Sequence, residues 1–162
     1  MRARLTTSPQ VLVAALVVSP VEDDHQALQT IFGRLKWSRH GVPTLAKARA
    51  WIGQFGPPAV IICERQLSDG LWKQLFEETE ALPQPPKFIV ASRQADEYLW
   101  AEVLNMGGHD VLSIPFEQAE VSRVVLYASE FWHRQWGNRG LSRRAASSGG
   151  GAVSSVPMGP AS

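Results

Sequence analysis

Four short apolar runs and one brief candidate strand alternate with amphipathic stretches, and this alternation most constrains the fold of the chain. Residues 11–18 (VLVAALVV) and 59–63 (AVIIC) are continuously apolar and rich in branched side chains. Such runs are typical of strands covered on both faces, as in a parallel sheet. Shorter runs at 88–91 and 111–112, and a brief strand near 37–40, complete the set. The alternation predicts an α/β fold with a five-stranded parallel sheet and helices on both faces.

Helices are predicted between and after these strands, where apolar residues recur at helical spacing. The first begins at the acidic residues 22–24, and the second follows Thr44, whose hydroxyl can cap it. The fourth is expected over 96–106 and the fifth over 117–132. Right-handed crossovers leave few topologies for such units, and a flavodoxin-like (βα)5 three-layer fold is the leading one.

Composition indicates one domain with two tails. The 162 residues are 44% hydrophobic, which suits one core but not two. We expect a flexible N-terminus over 1–10, a single domain over 11–136, and a disordered Gly/Ser/Ala/Pro-rich tail over 137–162. The tail is too short and polar for a DNA-binding module, so the domain is expected to stand alone.

Charge, cysteine content and hydropathy limit the partners. The chain has 16 basic and 15 acidic residues, and three of the basic ones lie in the tail, so the domain carries no clustered basic face for nucleic acid. The single cysteine, Cys63, cannot form an internal disulfide and fits a reducing compartment. The run 11–18 lacks a cleavage pattern after it, and no segment is long enough to span a bilayer. We expect a cytoplasmic protein without membrane or direct nucleic-acid contact.

Three local signatures occur in order along the chain. Residues 58–70 (PAVIICERQLSDG) join an apolar run and an acid to a turn ending in Gly70. Residues 104–110 (LNMGGHD) combine a helix end with a glycine turn, and Ile114-Pro115-Phe116 closes the last strand. Together they resemble the receiver (CheY-like) domain of bacterial two-component response regulators over about residues 11–133. The resemblance implies phosphorelay signal transduction and a cis Ile114–Pro115 bond.

The family's reactive site can be compared position by position. In receivers, an aspartate ending the third strand accepts a phosphoryl group, two acids after the first strand hold Mg²⁺, and a hydroxyl and a lysine bind the phosphate. The resemblance places other residues there: Glu64 at the phosphoacceptor, Ser19 and Pro20 at the acidic pair, Ala91 or Ser92 at the hydroxyl, and Ile114 at the lysine.

These replacements predict a degenerate site. Ser19 and Pro20 supply no anionic oxygen for Mg²⁺, and Ile114 cannot pair with a carboxylate, so we expect no metal, no cofactor and no cation beside Glu64. The carboxylate of Glu64 is then either a fixed partial mimic of a phosphate or silent. The acids at 22–24 are expected to be solvated, and His25 to lie on the surface of the first helix.

Aromatic residues suggest a protein-binding face on the last two helices and the strand between them. Its predicted members are Tyr98, Trp100, Val111, Phe131 and Trp132. In receivers this face carries dimer and output contacts. The alternative is that the aromatics only cap the rim of the core. Expected partners are signalling proteins such as a kinase or another regulator, and a homodimer through the last two helices is one such arrangement.

The sequence thus predicts a pseudo-receiver that acts by protein contact, without aspartyl phosphorylation and without enzymatic activity. Two alternatives remain open. One is a receiver that is still phosphorylatable, with a site rebuilt from Glu22, Asp23, Glu64 and Ser92. The other is a small-ligand-binding or enzymatic domain that uses the crevice at the carboxyl ends of the strands. The sequence contains no nucleophile–base pair or glycine-rich nucleotide loop to support this second alternative.

Overall fold

The computed structural model describes residues 13–137. Five parallel strands form one sheet in the order β2-β1-β3-β4-β5: β1 (Ala14–Val18), β2 (Ser38–Val42), β3 (Val60–Glu64), β4 (Lys87–Ser92) and β5 (Asp110–Ser113). Five helices connect and follow them: α1 (Glu22–Leu35), α2 (Leu45–Phe55), α3 (Trp72–Glu80), α4 (Glu97–Met106) and α5 (Gln118–Trp132). The predicted flavodoxin-like fold is confirmed. The tails were predicted at 1–10 and 137–162, and except for Gly137 both lie outside the described residues.

Two apolar clusters explain why the strand runs are continuously hydrophobic. Along β3, Val60 and Ile62 pack in the cluster shared with α1 and α5, whereas Ile61 and Cys63 pack in the cluster shared with α2, α3 and α4. Successive side chains of a strand point to opposite faces of the sheet. Because helices cover both faces here, β1 and the first four residues of β3 are apolar at every position, whereas the edge strand β2 (SRHGV) keeps polar residues.

Helix boundaries follow from capping groups in the sequence. The Thr44 hydroxyl accepts a hydrogen bond from the Lys47 amide at the start of α2, and the Asp96 carboxylate accepts one from the Leu99 amide at the start of α4. Gly107, with φ of 103°, ends α4 in the left-handed conformation that glycine favours. These ends place the loops that carry the candidate site.

The structure differs from the predicted elements in three places. Residues expected to form a polar loop after β3 include a short antiparallel hairpin, with Gln66–Leu67 paired to Gly70–Leu71. The second strand begins one residue later than predicted, and α5 continues into a π-helical turn over His133–Gly137. The Ile114–Pro115 bond is cis, as predicted. Within 13–137, none of the helices is long and apolar enough to cross a membrane.

Candidate functional site

The residues singled out by the sequence come together at the carboxyl edge of the sheet. Ser19 and Pro20 directly follow β1, Glu64 is the last residue of β3, Ser92 is the last of β4, and Ile114 follows β5. Parallel pairing sets Glu64 opposite Ala91 on β4, one position before Ser92. Parallel strands end at a common edge, where α/β folds of this type hold their functional groups.

A guanidinium group joins two acids at this edge. Arg93, the residue after β4, places Nη2 2.8 Å from Asp24 Oδ1 and Nη1 3.4 Å from Glu64 Oε2. The other oxygen of Glu64 accepts a hydrogen bond from the Gln66 amide at 3.0 Å. We call Asp24, Glu64 and Arg93 the acid–arginine clasp.

Ser19 anchors the Asp24 side of the clasp. Its hydroxyl donates to Asp24 Oδ2 at 2.8 Å and accepts from the Val21 amide at 3.1 Å. Its carbonyl accepts a hydrogen bond from His25 Nε2 at 2.8 Å. The carboxylate of Asp24 is 97% hidden from solvent in this arrangement, with hydrogen-bond donors on both oxygens. Its desolvation is therefore compensated by a hydroxyl and a guanidinium.

Three expectations about this region were wrong. Asp24 is buried and paired with Arg93, where a solvated acid was predicted. Glu64 has a cation beside it, although Ile114 occupies the lysine position. His25 is buried, with 9% of its surface exposed. Arg93, from the loop after β4, pairs with Asp24 and Glu64, and His25 faces β2, where its imidazole lies close to Gly41.

The two remaining site positions, Ser92 and Ile114, are buried and bonded to neighbouring parts of the fold. The Ser92 hydroxyl is buried and accepts a hydrogen bond from the Gln94 amide at 3.0 Å, which shapes the loop between β4 and α4. Ile114 is buried in the apolar cluster beneath α1 and α5, and its amide donates to the Ser92 carbonyl at 3.0 Å. Ile114 therefore packs where a lysine would need to extend toward the carboxylates.

The residues present do not fit the Mg²⁺ ion that the receiver resemblance implies. Mg²⁺ prefers carboxylate and water oxygens in octahedral geometry. At this edge the oxygens of Asp24 are taken by Ser19 and Arg93, and Pro20 offers no side-chain ligand. Within residues 13–137, no group of three or more His, Cys, Asp or Glu side chains is placed to hold a metal ion.

Two further groups near the site have shifted pKa values. Hydrogen bonds from the Leu45 and Ala46 amides lower the pKa of the Asp69 carboxyl, which ties the loop after β3 to the start of α2. Burial raises the pKa of the Cys63 thiol far above its usual range, and Glu64 and Asp69 add to the effect. Cys63 is therefore a protonated core residue without the thiolate character that a nucleophile needs.

The predicted members of the aromatic face lie in separate places in the structure. Tyr98 and Trp100 are 85% and 52% exposed on α4. Trp100 borders a groove of about 500 Å³ over β5, where Val111 is buried. Phe131 lines a separate cavity of about 360 Å³ with His109 near the amino ends of β4 and β5, and Trp132 packs against the core cluster beneath α1 and α5.

The outer surface of α5 carries a further aromatic residue, Tyr127, which the sequence-based prediction of the face did not include. Tyr127 is 54% exposed, and its ring contacts Phe131 with centroids 4.8 Å apart. His109 packs against both rings, and the Arg134 guanidinium lies 4.7 Å from the Phe131 ring centroid. Spacing of four residues between Tyr127 and Phe131 on a helix was the available signal.

No protein-family model matches the sequence, and no curated protein matches it at a significant level. Solved structures do match. The signal receiver domain of an HD domain-containing protein from Pseudomonas fluorescens Pf-5 has a TM-score of 0.69 and 19% identity, covering 80% of this chain and 96% of that one. A CheY-like response regulator receiver domain protein from Methanospirillum hungatei JF-1 has a TM-score of 0.67 and 15% identity, covering 76% and 98%. The beryllofluoride-activated NtrC4 receiver domain dimer has a TM-score of 0.65 and 21% identity, covering 74% and 98%.

Proposed function

We propose that this chain, which has the receiver fold of response regulators, acts as a pseudo-receiver in signal transduction of the two-component type. In this proposal it works in the cytoplasm through protein–protein contact, without aspartyl phosphorylation and without enzymatic activity. The observation that carries the proposal is the acid–arginine clasp. Arg93 lies between the carboxylates of Asp24 and Glu64, where a phosphoryl group would need free acceptor oxygen and a divalent cation.

The clasp supports this proposal over a receiver rebuilt from neighbouring acids. Asp24 directs both of its oxygens to donors of this chain, and Glu64 has one oxygen on the Gln66 amide and the other toward Arg93. Attack on an activated phosphoryl group requires an unhindered carboxylate oxygen and stabilisation of the equatorial oxygens. Here the nearest guanidinium already pairs with carboxylates of the protein.

A small-ligand-binding or enzymatic role at the same edge has weaker support. The groove beside Glu64 and Ser92 has a volume of about 670 Å³ and is open to solvent, with Arg65, Gln66 and Leu71 on its walls. Ligand sites usually enclose most of the ligand surface and direct a few polar groups inward. The Ser92 hydroxyl is used by the Gln94 amide, and Cys63 is buried and protonated.

Incubation with acetyl phosphate and Mg²⁺ is expected to leave the intact mass of the protein unchanged. Beryllofluoride is expected to leave its amide NMR spectrum unchanged as well, because Glu64 and Arg93 are already paired. The NtrC4 receiver, which has a beryllofluoride-activated form, is the positive control. A stable gain of one phosphoryl group, or beryllofluoride shifts centred on Glu64, would contradict the proposal.

We propose further that the contact surface includes the outer face of α5 and that a second copy of the chain is one partner. If two α5 helices pack antiparallel with Tyr127 on the two-fold axis, residues equally spaced from Tyr127 meet. Arg123 then faces Phe131 of the second copy, and Glu120 faces Arg134. Both pairings are favourable, as a cation–π contact and an ion pair, and residues four and seven apart share one face of a helix.

Changing Tyr127 to glutamate is expected to shift the protein from dimer to monomer in sedimentation equilibrium. The charge would lie on the two-fold axis, directly opposite its own copy. Phe55→Glu is the matched control, because Phe55 is 63% exposed on α2, in the other helix layer. A wild-type protein that is monomeric at every concentration, or a dimer equally weakened by both substitutions, would refute pairing through α5.

A further inference from the structure

A second polar pocket lies beside the clasp, on the other side of Ser19. It has a volume of about 270 Å³ and opens between the start of α1 and the strand β2. Its lining includes His25 and Glu22 from α1, and Arg39 and Gly41 from β2. None of these residues has a role in the proposed function.

His25, in the lining of this pocket, has an unpartnered nitrogen. Its Nε2 is 2.8 Å from the Ser19 carbonyl, which can only accept, so Nε2 carries a proton and donates. The second nitrogen, Nδ1, is buried and has no hydrogen-bond partner among the described residues. Buried polar atoms are usually satisfied, and each exception calls for an explanation such as a ligand.

Arg39 presents a second unpartnered group to the same pocket. Its Nε is buried and has no hydrogen-bond partner within residues 13–137. Burial lowers the pKa of the Arg39 guanidinium, and the nearby negative charge of Glu22 partly offsets that effect. The group nevertheless stays charged at neutral pH, because arginine loses its proton only far above that range. A desolvated guanidinium of this kind favours an anionic partner.

Gly41 lets both groups lie close against β2, because it has no side chain. A Cβ atom at this position would lie 2.5 Å from His25 Nδ1 and 3.0 Å from Arg39 Nη1. Gly41 does not have the positive φ seen at Gly56, Gly70 and Gly107, so its backbone conformation does not require glycine. Glycine is needed here because a Cβ atom would collide with the His25 imidazole and crowd the Arg39 guanidinium.

We propose that this pocket binds the carboxylate group of a small molecule between His25 and Arg39. Arg39 donates to one carboxylate oxygen, and His25, protonated at Nδ1 when the ligand binds, donates to the other. The charged groups that face His25 are Glu22 from its own helix and Arg39 from β2. With His25 protonated, these three groups carry one net positive charge, which matches a monoanion. This inference is independent of the pseudo-receiver proposal.

Titration with sodium acetate tests this inference, with sodium chloride as the control at matched ionic strength. We expect acetate to produce saturable NMR shifts at the Gly41 amide and to move the His25 Nδ1 resonance to its protonated position. Arg39→Gln and Gly41→Ala are expected to abolish both changes, the first by removing the donor and the second by displacing His25 and Arg39, with which the new methyl group would collide. Glu22→Gln is expected to tighten binding severalfold, because a repelling carboxylate is lost.

Three results would overturn the inference. Equal shifts with acetate and chloride would mean that the pocket does not recognise a carboxylate. Binding that is undiminished in Arg39→Gln would remove the proposed donor. Unchanged acetate affinity in a folded Gly41→Ala protein would place the ligand elsewhere on the chain. Amide spectra of each variant, recorded without acetate, establish that the fold is retained.

Discussion

Replacing Arg93 with alanine is expected to lower the free energy of unfolding by about 2 kcal/mol. The substitution leaves the Asp24 carboxylate 97% buried with the Ser19 hydroxyl as its remaining side-chain donor. Arg93 itself is half exposed, so the loss is smaller than the value for a fully buried pair. Urea unfolding followed by tryptophan fluorescence measures the change, because the domain contains several tryptophans.

Arg49→Ala is the matched control for that measurement. Arg49 forms a 2.7 Å ion pair with Glu78, in which both side chains are exposed. Exposed pairs contribute between about 0 and 1 kcal/mol, so the control is expected to lose less than half as much stability. Equal losses in the two variants would mean that the clasp is an ordinary surface ion pair and does not organise the site.

The clasp also connects the sheet edge to α4, which gives the Arg93 variant a second consequence. Arg93 begins the loop between β4 and α4, and the Ser92–Gln94 hydrogen bond holds the same loop. Loss of the clasp is therefore expected to loosen the segment that positions Trp100. In the pseudo-receiver proposal, the ion pair of Arg93 with Asp24 therefore holds this loop at the start of α4 without a phosphoryl group.

The fold was predictable because it depends on burial, which leaves a pattern in the sequence. Strands covered on both faces must be apolar throughout, and helices covered on one face must be apolar at helical spacing. The 11–18 and 59–63 runs carried the first pattern, and the observed sheet order confirms the fold that the alternation predicted. The hairpin at 66–71 was missed because two-residue strands leave no periodicity to detect.

The contents of the site were only partly predictable. Arg93 was not among the predicted site residues, although it lies two positions after the run 88–91 that predicted the fourth strand. Its partners are 69 and 29 residues away along the chain, and no local pattern specifies contacts over such separations. Whether the first turn of α1 leans toward this edge depends on helix packing. The same dependence placed Phe131 on the surface and Trp132 against the core, although the two are adjacent in sequence.

Replacing Ile114 with lysine is expected to cost about 3 kcal/mol of stability and not to create a phosphorylatable site. Ile114 is buried against the cluster beneath α1 and α5, so a lysine there must bury its stem and bring an ammonium close to the Arg93 guanidinium. Two cations beside the same pair of carboxylates repel each other. Urea unfolding measures the stability, and intact mass after incubation with acetyl phosphate measures phosphorylation.

Ile114→Met separates the cost of charge from the cost of shape. Methionine is apolar and similar in volume, so this variant is expected to lose only about 1 kcal/mol. If the lysine variant were as stable as the methionine variant, the ammonium would have reached Glu64 or solvent without loss of folding free energy. Position 114 would then not require an apolar side chain. Arg93, which follows β4, already pairs with Glu64. A cation at position 114 therefore gains little from that carboxylate, and packing in the apolar cluster determines which side chain fits there.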